Sequence, residues 1–256
     1  MNLEKYQQYS RIARGLEKAD LVLKDARIVN VFTEEIIRGD IAIQDGIIAG
    51  IGSFHGKEER DLAGRYVCPG FIDSHLHLES TLVTPAELVT AASRHGTTTF
   101  IVDPHESANV SGLAGIDYIL DQTEDVKANV YVMMPSCVPA TAIDDNGCTL
   151  TAEDMAPYLH NSRILGLGEV MDSISVVQGE KSMHDKLELF EGRIRDGHAP
   201  FLEEGDLQAY AMAGIATDHE CSFFDYAMRE RRNGLTILVR EGSAARNLEA
   251  LVGGLV

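Results

Sequence analysis

From residue 68 onward one pattern repeats along the chain: an apolar, β-branched run, a short polar loop, then a stretch with helical spacing. The runs are "VCPGFIDSHLHLE", "TTTFIVDPHE", "NVYVMMPSCVPA", "RILGLGEVM", "GRIRDGHAP", "GIATDHECS" and "LTILVREGS". Strands that alternate with helices form a parallel sheet, because a parallel neighbour is reached only through a long crossover. Near-continuous apolar runs fit strands covered on both faces. Their polar residues gather at the C-terminal ends: "DSHLHLE", "DPHE", "PSC", "GEVM", "DGHAP", "DHEC" and "REGS". A doubly wound sheet puts its ligand at one switch point, whereas a (β/α)₈ barrel builds its site from many C-terminal strand ends. The pattern therefore predicts an α/β chain with a barrel over residues 68–256. Only about seven βα units can be counted, with strands starting near residues 71, 97, 129, 164, 193, 215 and 235. The closing "NLEALVGGLV" falls within the seventh helix, so the expectation is a barrel that is incomplete on its C-terminal side.

Residues 21–67 read differently, as short strands and turns that form a small β-sandwich portion; residues 1–20 are a polar, helical N-terminal extension. Asp45–Gly46 between "IAIQ" and "IIAGIG" is a hairpin signal. In the barrel region, Thr84 is the expected N-cap of the first helix, with Pro85 at its first position, Glu87 completing a capping box and Gly96 as the stop. With 22 Lys and Arg against 40 Asp and Glu, the net charge of -18 argues against a nucleic-acid partner. No apolar run reaches the roughly 18–20 residues of a membrane span, and the polar N-terminus has no secretory core, so the expected location is cytoplasmic. Cys68, Cys137, Cys148 and Cys221 lack C-x-x-C spacing and are expected as buried thiols.

His75 and His77 stand two apart on a strand and so project to one side. Glu169, His198 and His219 occupy other C-terminal strand ends. Imidazoles with one carboxylate suit first-row metal ions, and a carboxylate can bridge two of them. Two ions sharing an oxygen generate hydroxide near neutral pH, which points to metal-assisted hydrolysis. Glu220 and Glu79 are the candidate proton-transfer carboxylates. His105 and Glu106 are expected in a supporting or loop role, and His55, His160 and His184 at the surface. "GLGE" at 166–169 is not followed by the Gly-Lys-Ser/Thr of a phosphate loop. Gly242 in "REGSAARN" reads as a tight packing turn more readily than as an anion-facing helix start.

The stretches "PGFIDSHLHLESTLVTPAE", "HGTTTFIVDPHESANV", "MMPSCVPAT", "LGLGEVM", "DGHAP", "DHEC" and "REGSAARNLEAL" closely resemble the bacterial adenine deaminases, a family of metal-dependent amidohydrolases. The resemblance runs from about residue 20 to the C-terminus. It implies a distorted (β/α)₈ barrel beside a β-sandwich made from both chain ends. It implies that His75, His77, His198 and His219 are metal ligands, with Glu169 bridging two divalent ions, manganese or iron being favoured over zinc. The implied reaction is hydrolysis of adenine to hypoxanthine and ammonia. The implied partner is a small-molecule substrate, with neither nucleic acid nor membrane, and a homo-oligomer is left open. The family's eighth-strand aspartate has no counterpart here, so the chain alone is expected to be inactive without a C-terminal segment, in the same chain or as a second one. The alternatives are another cyclic amidohydrolase that opens lactam or hydantoin rings, or a non-catalytic metal-binding fragment.

Overall fold

A computed structural model describes residues 1–141 and 143–253, so the last three residues of "NLEALVGGLV" lie outside it. The backbone divides into two compact units, Met1–Gly70 and Phe71–Val256.

The first unit opens with helix α1 (Leu3–Ala13), where the Asn2 side chain caps the N-terminus by accepting the N–H of Lys5. Strands β1 (Ala19–Asn30), β2 (Glu35–Gln44), β3 (Ile47–Gly52), β4 (Gly56–Asp61) and β5 (Tyr66–Val67) follow. Asp45 and Gly46 join β2 to β3 with φ of 51° and 75°, the pair of positive values that a type I′ hairpin requires. β1 pairs antiparallel with β2 on one edge and parallel with β4 and β5 on the other, so the expected β-sandwich portion is one mixed five-stranded sheet. A register shift between Leu23 and Ala26 changes which side chains of β1 share a face. Val22 packs with Ile12 of α1, Ala42 and Phe54, whereas Ala26 and Ile28 pack with Ile41. Asp40 accepts the ammonium of Lys24 at 2.5 Å and the backbone N–H groups of Asp25 and Phe54, both at 3.1 Å.

In the second unit the βα alternation is observed. Its described strands are β6 (Phe71–Leu76), β7 (Thr97–Val102), β8 (Asn129–Met134), β9 (Ile164–Val170), β10 (Ile194–Gly197), β11 (Thr217–Asp218) and β12 (Thr236–Ile237). β6 to β10 form one parallel sheet in sequence order, and β11 pairs parallel with β12. The N–H of Ala216 donates to the carbonyl of Arg195 at 3.0 Å, which carries the order from β10 towards β11. These seven strands are the incomplete (β/α)₈ barrel that the polar strand ends predicted.

Helices α2 (Pro85–Ser93), α3 (His105–Ser111), α4 (Leu113–Gln122), α5 (Ala152–Met155), α6 (Ser173–Gln178), α7 (Lys181–Leu189), α8 (Glu204–Met212), α9 (Phe224–Arg232) and α10 (Leu248–Val252) lie between and after them. Phe100, Val102, Val132, Met134 and Leu167 on the strands share a buried core with Val89, Ile116, Ile119, Leu187 and Tyr210 on the helices. Local details differ from the sequence reading at the start of α2. Thr84 is the N-cap of α2, but its side chain makes no capping hydrogen bond. A capping box forms instead at α5, between Thr151 and Asp154. The stretch 152–160 is one short helix followed by a 3₁₀ turn, Ala156–His160, because Pro157 has no N–H to continue the α pattern.

The cysteines also depart from expectation. Cys137 and Cys221 are buried thiols, but Cys148 is only half-buried and Cys68 is exposed. No helix among the described residues is long and apolar enough to cross a membrane.

Candidate metal centre

Each sequence-predicted ligand sits where a strand ends. His75 is near the end of β6 and His77 lies just past it; Glu169 is near the end of β9; His198 and His219 follow β10 and β11 directly. Their side chains come together around Glu169, which is 3% exposed. Its Oε1 lies 2.8 Å from His75 Nε2, 2.9 Å from His77 Nε2 and 3.4 Å from His219 Nε2. Its Oε2 lies 3.1 Å from His198 Nδ1. His75 stacks on His219 with ring centres 3.8 Å apart. Glu220 also faces this cluster, with Oε1 3.6 Å from His219 Nε2 and 3.8 Å from His198 Nδ1. Glu79 faces elsewhere: its Oε1 accepts the N–H groups of Glu106 and Ser107 at the start of α3. Burial raises the pKa of the Glu79 carboxyl.

Residues 66–246 match the model of the amidohydrolase family. The chain belongs to the amidohydrolase family. It is 57% identical over 255 residues to the adenine deaminase of Desulfitobacterium hafniense (strain Y51), covering 100% of this chain and 45% of that protein. The adenine deaminase of Clostridium acetobutylicum is 49% identical over 245 residues, covering 95% of this chain and 43% of that one. The chain thus spans less than half the length of these curated relatives. Among solved structures, β-aspartyl dipeptidase from Fervidobacterium islandicum AW-1 superposes with a TM-score of 0.60 at 13% identity, covering 93% of this chain and 70% of that one. N-acyl-D-glutamate deacylase from Bordetella bronchiseptica gives 0.56 at 16% identity, over 86% and 58%. At those identities the likeness concerns the fold.

The hydrogen bonds of this amidohydrolase test whether the cluster suits a cation. His77 Nδ1 lies 2.8 Å from the carbonyl oxygen of Asp103, which can only accept, so Nδ1 carries the proton. His75 Nδ1 donates in the same way to Asp196 Oδ2 at 2.8 Å. In the neutral rings both Nε2 atoms are then lone-pair acceptors, and they face each other at 3.2 Å beside Glu169 Oε1. While the rings are neutral that buried oxygen meets no hydrogen-bond donor, and in the absence of a cation only protonation of the imidazoles supplies one. Two lone pairs and a carboxylate oxygen converging without a donor form a site that attracts positive charge. The titration behaviour has the same cause. Burial works against a charged His75, but Asp196 and Glu169 outweigh it and push the ring up to about 10. Burial likewise opposes charge on His77, and Glu169 pushes it up to about 9. Burial would raise Glu169, yet the surrounding imidazoles, His198 first, hold its carboxyl well below the usual range. The donor set therefore fits divalent ions. Two overlapping groups, His75–His77–Glu169 and Glu169–His198–His219, share the one carboxylate, which gives the chain the capacity for a two-ion site.

Sequence reasoning missed the residues that orient these side chains. Three buried aspartates supply much of the frame: Asp103, Asp196 and Asp218. Asp103 Oδ2 accepts the N–H of Glu169 at 2.7 Å, and its carbonyl holds His77. Asp196 holds His75, and its Oδ1 accepts the N–H of Gly197 at 3.0 Å and the hydroxyl of Thr217. Asp218 accepts the N–H groups of Ala199, Glu220 and Cys221 at 2.7, 2.8 and 3.0 Å, so one carboxylate fixes the backbone beside both His198 and His219. Tyr210 of α8 accepts the N–H of His198 at 2.9 Å and donates to the carbonyl of Val170 at 2.6 Å.

Two motifs find their physical reason here. In "PSCVPA" the Ser136 hydroxyl donates to the carbonyl of Glu169, and Cys137 Sγ accepts the N–H groups of Met171 and Asp172 at 3.2 and 3.4 Å. In "GLGE" the second glycine leaves room for Asp103, since a Cβ on Gly168 would lie 2.3 Å from Asp103 Oδ2. The signal available in the sequence was the aspartate that precedes the histidine in "DGH" and "DH".

Proposed function

We propose that this chain carries the two-ion site of an enzyme that hydrolyses adenine to hypoxanthine and ammonia. Relatives at 57% and 49% identity are named adenine deaminases, which supports adenine as the substrate. The observation that carries the hydrolytic reading is Glu169, with Oε1 turned to His75 and His77 and Oε2 to His198. In this reading His75, His77 and Glu169 hold one ion, and Glu169, His198 and His219 hold the other. The mixed imidazole and carboxylate set accepts iron, manganese or zinc, and the likeness to adenine deaminases is what favours iron or manganese. Such ions supply hydroxide near neutral pH.

The chain's own residues then have defined tasks. Asp196 and the carbonyl of Asp103 keep the Nε2 lone pairs of His75 and His77 turned towards Glu169. Water adds at C6 of the purine, N1 gains a proton, and the 6-amino group leaves as ammonia after protonation. Glu220 is the proton carrier in this scheme, because it faces His198 and His219, whereas the Oε1 of Glu79 is engaged at the start of α3. A bare base has no phosphate to bind, which agrees with a net charge of -18.

The test compares Glu169→Gln and Glu220→Gln, loaded with iron or manganese. The chain is assayed alone and joined to the remaining portion found in its longer relatives, with deamination expected from the joined form. Glu169→Gln should lose bound metal. Glu220→Gln should keep it while ammonia release from adenine falls by about 10²–10⁴-fold, the usual effect of losing a general acid or base. Turnover of a lactam or hydantoin but not adenine by the joined, metal-loaded protein would reassign the substrate.

A further inference from the structure

Two of the family-like stretches, "DHEC" at 218–221 and "REGSAARN" at 240–247, meet in the fold. Arg240, three residues past β12, donates from Nη1 to Glu220 Oε1 at 2.5 Å and from Nη2 to Glu220 Oε2 at 3.1 Å. A half-exposed ion pair by itself contributes little to stability. This one differs in two respects. The fork grips both oxygens, which fixes the plane of the carboxylate as well as its position. The backbone on either side is also tied down. The N–H of Asn247 donates to the carbonyl of Arg240 at 2.8 Å, and the Asn247 side chain donates to the carbonyl of Cys221 at 2.7 Å. Gly242 N–H closes onto the carbonyl of Ala245 at 2.9 Å, making the tight turn that presents Arg240.

The position of the gripped carboxylate gives the pair its meaning. Glu220 Oε1 stands 3.6 and 3.8 Å from the same imidazole nitrogens of His219 and His198 that approach Glu169. A carboxylate at that place has two courses open: to join the ligand set, or to stay beside it as a free acceptor. We propose that Arg240 is a positioning residue that holds Glu220 outside the ligand set, next to the ion bound by His198 and His219. Glu220 then stays available for proton transfer instead of being consumed as a ligand. This rests on the two-ion reading above.

Cobalt(II) is the probe, because its visible absorption reports the number and kind of its ligands without any turnover. The cobalt-loaded protein is compared with Arg240→Gln, Glu220→Gln and the double variant. Removing the fork should let Glu220 swing onto the ion, so R240Q should show an altered ligand-field spectrum. E220Q and the double variant should resemble the unsubstituted protein, since neither has a carboxylate to swing. R240K keeps the charge but lacks the fork; it replaces R240Q if that variant fails to fold, with the same shift expected. In turnover by the joined form, R240Q should lower kcat about a hundredfold with KM within about twofold, and it should cost little more once Glu220 is already Gln. An unchanged spectrum in R240Q or R240K overturns the positioning role. So does a changed spectrum that Glu220→Gln does not restore, which would mean a general disturbance of the site. Failure of the unsubstituted protein to take up cobalt would instead refute the two-ion reading, and this proposal with it.

Discussion

Replacing Asp196 by Asn removes one charge and leaves the size of the side chain almost unchanged. Asp196 accepts three hydrogen bonds: from His75 Nδ1 at 2.8 Å, from Gly197 N–H at 3.0 Å and from the Thr217 hydroxyl. An amide has only one accepting atom, so it cannot serve both sides. If its oxygen faces His75, its NH₂ group opposes the N–H of Gly197, and a buried donor left without a partner costs about 1–3 kcal/mol. If its NH₂ faces His75, the ring must take the other tautomer. The proton then sits on Nε2, and the lone pair turned towards Glu169 is lost. Loss of a partner behind a ligating histidine typically weakens metal binding about 10–100-fold, or about 1.4–2.7 kcal/mol. Competition with a chelator, followed by metal analysis of the D196N protein, measures this directly. Metal affinity within about twofold of the unsubstituted protein would refute the reasoning, because it would show that His75 needs neither the charge nor the orientation that Asp196 supplies.

Gly168→Ala should lower the melting temperature. Its Cβ would lie 2.3 Å from Asp103 Oδ2, and overpacking of this kind costs about 1–3 kcal/mol. Gly205→Ala in α8 meets nothing within 4 Å and should be neutral or stabilising by up to about 1 kcal/mol, so equal melting temperatures for the two variants would count against the close-approach argument. In the first unit, burial would raise the pKa of Asp40, but Lys24 and the N–H groups of Phe54 and Asp25 hold it below the usual range. A carboxyl with a depressed folded pKa stabilises above its unfolded pKa of about 4, and that stabilisation is lost as the pH falls through the folded value. Asp40→Asn should therefore cost about 1–3 kcal/mol at pH 7 in denaturant titrations, and the difference from the unsubstituted protein should shrink as the pH falls below about 4.

The elements and their order are legible in local sequence alone. Each barrel strand is written locally, in a short apolar run that stops at a polar loop, and four of those stops place the candidate metal-binding side chains on the C-terminal rim. His75 and His77 share a side because strand geometry alternates every two residues, which needs no knowledge of any other segment. Asp45–Gly46 set its hairpin for the same local reason. Tertiary structure decided the tautomers, the frame and the pairings, since these depend on partners far away along the chain. Asp196 lies 121 residues from His75, Asp103 is 66 from Glu169, and Arg240 is 20 from Glu220. No period in a sequence encodes such separations. Thr84 shows the converse, for it has a sequence signature for a capping hydrogen bond that its side chain does not make in the fold. Local patterns fix where a side chain leaves the backbone; hydrogen-bond partners from distant segments fix which atom it presents, and metal chemistry depends on that atom.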